Sequence, residues 1–173
     1  MIIVLIGYMA SGKSTIGKKL AKKLNYKLID LDDFIEEKEN LSVADIFKNK
    51  GEIYFRKQET FYLKELLQSK SNIVLSLGGG TPCFGNNMGI ILGVQDVTSI
   101  YLKASIGKLV KNLMKKKDKR PLIAHIETKE ALAEFVGKHL FERVQFYNQS
   151  EFHIKTDGKS KKEIVEEIVL KLF

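Results

Sequence analysis

The sequence predicts a three-layer α/β/α domain built on a central parallel five-stranded sheet. Two patterns carry that expectation. Five short apolar runs recur along the 173 residues: IIVLI (2–6), KLID (27–30), NIVLSL (72–77), VTSIYL (97–102) and EFHIKT (151–156). Between them, apolar residues return every three or four positions, as at Ile16, Leu20 and Leu24 or at Ile106, Leu109, Val110 and Leu113, which is the period of an amphipathic helix. Strands separated by helices pair in parallel, because the crossover is long enough to lie across a sheet face and cover it.

The first run reads as a core strand rather than a signal peptide, since no basic stretch leads it. It is followed at once by GYMASGKST (7–15). Gly7 and Gly12 let the backbone turn tightly and approach an anion with no side chain between. Such a loop aims consecutive amides at a phosphate, and the helix that follows adds its positive end. In this GxxxxGKS pattern Lys13 reaches the outer phosphates and the Ser14 hydroxyl binds magnesium, while Ala10, Ser11 and Thr15 complete the loop. Nucleoside-triphosphate binding is the expected chemistry, against an ordinary glycine turn.

The second strand ends in IDLDDFIEE (29–37). Asp30 and Asp32 fall at its carboxyl end, the rim where open α/β sheets bind ligands, and two residues apart on extended chain their carboxylates share a face. One is expected to hold magnesium through water and the other to orient a hydroxyl; the competing reading is that Asp32 or Asp33 only caps the next helix. The third strand ends in LGGGTP (77–82), where Gly78, Gly79 and Gly80 let a small substrate lie on the backbone, unless the stretch is only a turn. KKKDKRPLIAH (115–125) is polar and weakly periodic, so a mobile lid is expected near 115–126. Toward the end, SKKE (160–163) is a capping-box pattern ahead of Ile164, Val165, Ile168, Val169 and Leu172.

Composition narrows the class. At 44% hydrophobic, the chain reads as one domain over 1–173, burying roughly two-thirds of its unfolded surface. No apolar run reaches the roughly 18 residues of a membrane span. Cys83 is the sole cysteine, and His125, His139 and His153 lack metal-ligand spacing. A cytoplasmic protein is expected, with no structural metal. The net charge of +8 rests mostly on lysine: of 29 cationic side chains only Arg56, Arg120 and Arg143 are arginine. The lysines are read as a solubilising coat, without the interleaved aromatics of a nucleic-acid binder. Arginine is different, because its planar fork makes paired bonds to carboxylate or phosphate that an ammonium cannot copy.

These motifs together resemble the shikimate kinase family over nearly the whole chain. The family pairs its phosphate loop with an aspartate, any residue, aspartate motif (Asp30, Leu31, Asp32), a GExxFRxxE segment (Gly51, Glu52, Phe55, Arg56, Glu59), a triple glycine (78–80), an RPL lid (Arg120, Pro121, Leu122) and a late RxxxY helix (Arg143, Tyr147). The three arginines singled out by composition are the family's three. The resemblance implies a P-loop kinase fold, with ATP and Mg2+ as cofactors and shikimate as acceptor, no nucleic-acid or membrane partner, and a monomer. It implies that shikimate is held by Asp32, Arg56, Arg143 and the glycines 78–80, with a substrate-binding helical segment near 31–68. Catalysis falls to Lys13, Asp32 and Arg120, the last also touching the phosphates. Metal binding falls to Ser14 and Asp30, and Asp157, in a Thr156-Asp157-Gly158 loop, lies beside the adenine. The reaction implied is transfer of the ATP γ-phosphate to the 3-hydroxyl of shikimate; the alternative is another small P-loop kinase, acting on gluconate or a nucleoside monophosphate.

Three positions depart from the family. Ala10 stands where glycine is usual. Asn112 lies where many members carry an arginine against the adenine, which leaves either a weaker hold on nucleotide or a substitute in Lys111. Gln145 replaces a common proline. Of Arg56 and Arg143, only Arg56 has a carboxylate, Glu59, at helical spacing, so an ion pair competes with the functional reading there.

Overall fold

The computed structural model describes residues 1–69, 71–115 and 122–173. Five parallel strands, β1 (Ile2–Ile6), β2 (Lys27–Asp30), β3 (Ile73–Ser76), β4 (Val97–Lys103) and β5 (Phe152–Lys155), form one sheet in the order β2-β3-β1-β4-β5. The five expected strands all form, each within a residue or two of the apolar run that predicted it. Eight α-helices connect or follow them among the described residues: α1 (Lys13–Leu24), α2 (Leu31–Glu39), α3 (Val43–Lys50), α4 (Glu52–Leu67), α5 (Asn87–Leu92), α6 (Ile106–Met114), α7 (Lys129–Tyr147) and α8 (Lys161–Leu172).

Burial on both faces explains why the strands read as unbroken apolar runs. In β1, Ile2, Val4 and Ile6 enter a core shared with α2 to α7, while Ile3 and Leu5 enter a second core shared with α1 and α8. Strand β1 lies between β3 and β4, so the chain departs to one side of it and later returns to the other. The crevice beyond the carboxyl end of β1 is therefore the topological switch point, where open α/β sheets receive ligands. The GxxxxGKS loop occupies that end.

Local chemistry sets the helix boundaries. Asn25 and Asn40 end α1 and α2 in the left-handed conformation, which asparagine tolerates. The capping box forms at α8: Ser160 Oγ accepts from the Glu163 amide, and Glu163 Oε2 accepts from the Ser160 amide. Ile106, expected in the apolar stripe of α6, is exposed at the helix start, whereas Leu109, Val110 and Leu113 are buried. Beyond α6, positions 116–121 of the expected lid, Arg120 included, lie outside the described residues. At its far end Ile123 and Ile126 are buried in the core.

Candidate active site

The loop from Gly7 to Gly12 is shaped by close approach. At Gly7, with φ +154°, a Cβ would fall 2.8 Å from Ser11 Oγ and 2.9 Å from the Leu102 carbonyl oxygen, so only glycine fits. Gly12 caps α1 at φ 101°. Between them Ala10 holds φ 63°, the left-handed conformation that costs a non-glycine residue roughly 1–2 kcal/mol. The departure from glycine at position 10 is thus a strained one, and the second departure bears on it directly: Asn112 Nδ2, from α6, donates to the Ala10 carbonyl at 3.0 Å. Lys13, nearly buried, donates to the carbonyls of Gly7 at 2.7 Å and Tyr8 at 3.0 Å, which keeps its ammonium over the loop.

A cleft of about 440 Å³ opens above this loop, lined by Ala10, Gly12, Lys13, Ser14 and Thr15, by Asp30 and Asp32, and by Gly78 and Gly79. The expected pairing of the two aspartates on extended chain is corrected. Asp30 ends β2 and is the N-cap of α2, its Oδ1 accepting from the Asp32 amide at 3.1 Å; Asp32 is already in the first helical turn. Both still face the cleft, because the strand end and the helix start meet at its rim. The competing reading, in which Asp32 or Asp33 only caps the next helix, does not hold: the cap is Asp30, and Asp32 and Asp33 lie in the first turn. Burial is the main reason the Asp32 carboxyl is pushed up to about 6; the nearby charges of Asp30 and Glu59 push the same way, and Lys13 and Arg56 oppose them.

The triple glycine organises the other half of the site. A Cβ on Gly78 would lie 3.3 Å from Asp32 Oδ1, one on Gly79 3.4 Å from Arg143 Nη1, and one on Gly80 3.0 Å from Arg56 Nη2. Three polar side chains from three helices, α2, α7 and α4, therefore sit against three consecutive glycines. Tyr147 supports the arrangement from beneath, donating to the Gly79 carbonyl at 2.5 Å.

Arg56 does make the competing ion pair, with its Nη1 2.8 Å from Glu59 Oε2. That pair is not a solvated surface contact. Glu59 is 1% exposed and also accepts from the Thr81 hydroxyl at 2.6 Å, so it anchors the guanidinium to the turn after the glycines. Phe84 stacks on the guanidinium at 3.8 Å. The Arg56 Nε–H is buried without a hydrogen bond, its nearest carboxylate being Glu52 at 3.7 Å, so the fork keeps donor capacity. Arg143 has no carboxylate partner among the described residues; its neighbour is the Tyr147 hydroxyl. Both arginines line a second pocket with Cys83, Phe84 and His139. Cys83 is half-buried there, and burial raises its thiol to about 11, which keeps it protonated.

Several participants were not legible beforehand. Tyr8 Oη and His139 Nδ1 lie 2.9 Å apart, tying the phosphate loop to the helix that carries Arg143. Lys115 and Lys161 line the cleft above the glycine loop, whereas Lys111, the expected substitute cation, is exposed and does not. Both Asp157 carboxylate oxygens are taken by Ser105, through its amide at 2.9 Å and its hydroxyl at 2.5 Å, so Asp157 fastens its loop to the start of α6. Gln145 is exposed and continues α7 where a proline would break it.

A glycine loop of this form at the switch point, beside three glycines against which a carboxylate and two guanidinium forks are set, defines a P-loop kinase for a small anionic alcohol. Comparison with known proteins agrees. The family model for shikimate kinase matches residues 9–173. A shikimate kinase of Flavobacterium psychrophilum is 50% identical over 171 residues, 99% of this chain and 98% of that protein. Among solved structures, shikimate kinase from Bacteroides thetaiotaomicron superposes with a TM-score of 0.90 at 32% identity, covering 99% of this chain and 98% of that one. The enzyme from Acinetobacter baumannii in complex with shikimate gives 0.83 at 26%, covering 99% and 92%. The chain belongs to the shikimate kinase family.

Proposed function

We propose that the protein transfers the γ-phosphate of ATP to the 3-hydroxyl of shikimate. The observation that carries this reading is the sequence of contacts Gly78–Asp32, Gly79–Arg143 and Gly80–Arg56. A small ring bound beside those glycines meets a hydroxyl acceptor at one end and two guanidinium forks at the other. That pattern is complementary to a ring bearing hydroxyls and one carboxylate.

Lys13 and the loop amides hold the outer phosphates, and the acceptor hydroxyl attacks the γ-phosphorus in line. The new oxygen–phosphorus bond forms as the bond to the β-phosphate oxygen breaks and ADP leaves. Catalysis is mostly positioning and charge stabilisation. With its carboxyl near 6, Asp32 is about nine-tenths ionised at pH 7, so it orients the hydroxyl and accepts its proton, late in a loose transition state. Ser14, Asp30 and Asp32 supply only hard oxygen donors in the cleft, which suits magnesium held largely by phosphate oxygens and water. Ser14 and Asp30 would hold the magnesium, which would supply positive charge against the phosphates. Arg120 is assigned to the phosphates through its RPL motif. The reading also has the protein acting as a monomer in the cytoplasm; among the described residues no helix is long and apolar enough to cross a membrane.

A coupled ADP-release assay across shikimate, gluconate and nucleoside monophosphates tests the assignment. Turnover with shikimate at least about tenfold above the others is expected, because the open chain of gluconate must lose several rotors to present its carboxylate and hydroxyl at the same separation and a nucleoside monophosphate has no carboxylate for the forks. Preference for gluconate or a nucleotide would overturn it.

A further inference from the structure

Helix α8 carries an apolar stripe, Ile164, Val165 and Ile168, that packs on Ile16, Leu20 and Ala21 of α1. Lys161 stands three residues before Ile164 and seven before Ile168, at the head of the same stripe. Because α8 is docked along α1, the stripe's first residue overhangs the N-terminal end of α1, where the phosphate loop turns into helix. The geometry bears this out: a Cβ on Gly12 would lie 3.0 Å from Lys161 Nζ, and Lys161 lines the cleft together with Ser14 and Thr15.

The charge around Lys161 is not neutralised by its own helix. Glu166 is engaged by Lys23 at 2.6 Å, Glu167 by Lys159 at 2.5 Å, and Glu163 by the Ser160 amide. Lys161 forms no ion pair among the described residues. It also lies near Lys108, whose ammonium donates to the Thr156 carbonyl and is held below the usual lysine range by burial, with Asp157 opposing and the charge of Lys161 adding to the depression. An ammonium at the mouth of the phosphate loop, lining the cleft and without a carboxylate partner among the described residues, makes a site for anionic oxygen.

We propose that Lys161 is a nucleotide-binding residue, its ammonium contacting the inner phosphates of the bound nucleotide from the α8 side while Lys13 serves the outer ones. The assignment rests on the reading of the loop as an ATP site and adds a residue to it.

Calorimetric titration of ADP and of adenosine into the wild-type protein, Lys161→Met, Lys161→Arg and Lys162→Met separates the possibilities. Methionine keeps the stem that covers the loop and removes the charge. Lys161→Met should raise the Kd for ADP about tenfold and leave adenosine within about twofold; Lys161→Arg should retain most of the affinity, and Lys162→Met all of it. The ADP deficit should shrink as salt is added, because the lysine is partly exposed. Equal ADP affinity in Lys161→Met and wild type, or equal losses for ADP and adenosine, would overturn the assignment. Failure of the functional reading looks different: wild-type protein that binds ADP but does not phosphorylate shikimate refutes the acceptor, while the ADP comparison still decides Lys161.

Discussion

Replacing Gly80 with alanine should separate substrate recognition from folding. The backbone there has φ −89° and ψ −20°, which any residue adopts. Alanine therefore brings no strain and stiffens the unfolded chain, which favours the folded state by roughly 0.4–1 kcal/mol. Its methyl, however, would stand 3.0, 3.2 and 3.4 Å from Nη2, Nη1 and Cζ of Arg56. Ordinary contact needs about 3.5–4.0 Å, so the fork must withdraw by roughly 0.5–1 Å. The stack on Phe84 at 3.8 Å and the bond to Glu59 at 2.8 Å oppose that withdrawal, so the displaced fork settles out of register with a carboxylate lying on the glycines. Losing one charge-assisted contact costs about 1.5–3 kcal/mol, which is roughly 10- to 100-fold in shikimate KM. In a coupled ADP-release assay, KM for shikimate should rise by that factor with KM for ATP within about twofold of wild type. The Tm should be unchanged or up to about 3 °C higher. An unchanged shikimate KM would refute the placement of Arg56, and a large fall in Tm would show that the methyl strikes something stiffer than the tip of a side chain.

Arg143→Lys keeps the charge but loses the fork; shikimate KM should rise at least about tenfold in steady-state kinetics while ATP KM holds, and equal shifts in both would count against the assignment. Burial raises the Asp32 carboxyl to about 6, so kcat/KM for shikimate should fall on the acid side of that value, to about a tenth of its plateau near pH 5, and an Asp32→Asn variant should lack that limb. The same raised value makes ionised Asp32 a destabilising group: the folded state favours its proton, so stability is lost as pH rises from about 4 through about 6. Asp32→Asn should therefore be more stable than wild type at pH 7.5, by on the order of 3 kcal/mol in denaturant titration, with the difference vanishing toward pH 4. Ser160→Ala removes the capping box of α8 and should cost about 1 kcal/mol, a Tm loss of about 2–4 °C by circular dichroism; an unchanged melt would mean that packing on α1 alone holds the helix start.

The fold and the chemical class of the site were written in short-range signals. A strand buried on both faces must be apolar throughout, and a phosphate loop must place glycine, lysine and a hydroxyl at fixed offsets, so both survive reading residue by residue. The scarcity of arginine made Arg56 and Arg143 visible for a similar reason, since a forked donor has no substitute. Other features have no sequence period, because they join residues distant in the chain. Asn112 holds Ala10 across 102 residues, and Tyr8 meets His139 across 131. Lys161 reads as one more surface lysine until α8 is laid along α1. Period-two spacing puts the aspartate pair on a strand because it says nothing about where a strand ends; the Asp30 cap ends it two residues short of Asp32. Sequence alone thus determined which groups the protein has for phosphate and for an anionic alcohol, because their identity is a local chemical necessity. Tertiary packing alone decided which of its many lysines line the cleft above the glycine loop and which buried acid fixes Arg56, because charge acts through space and the distances are set only when helices dock.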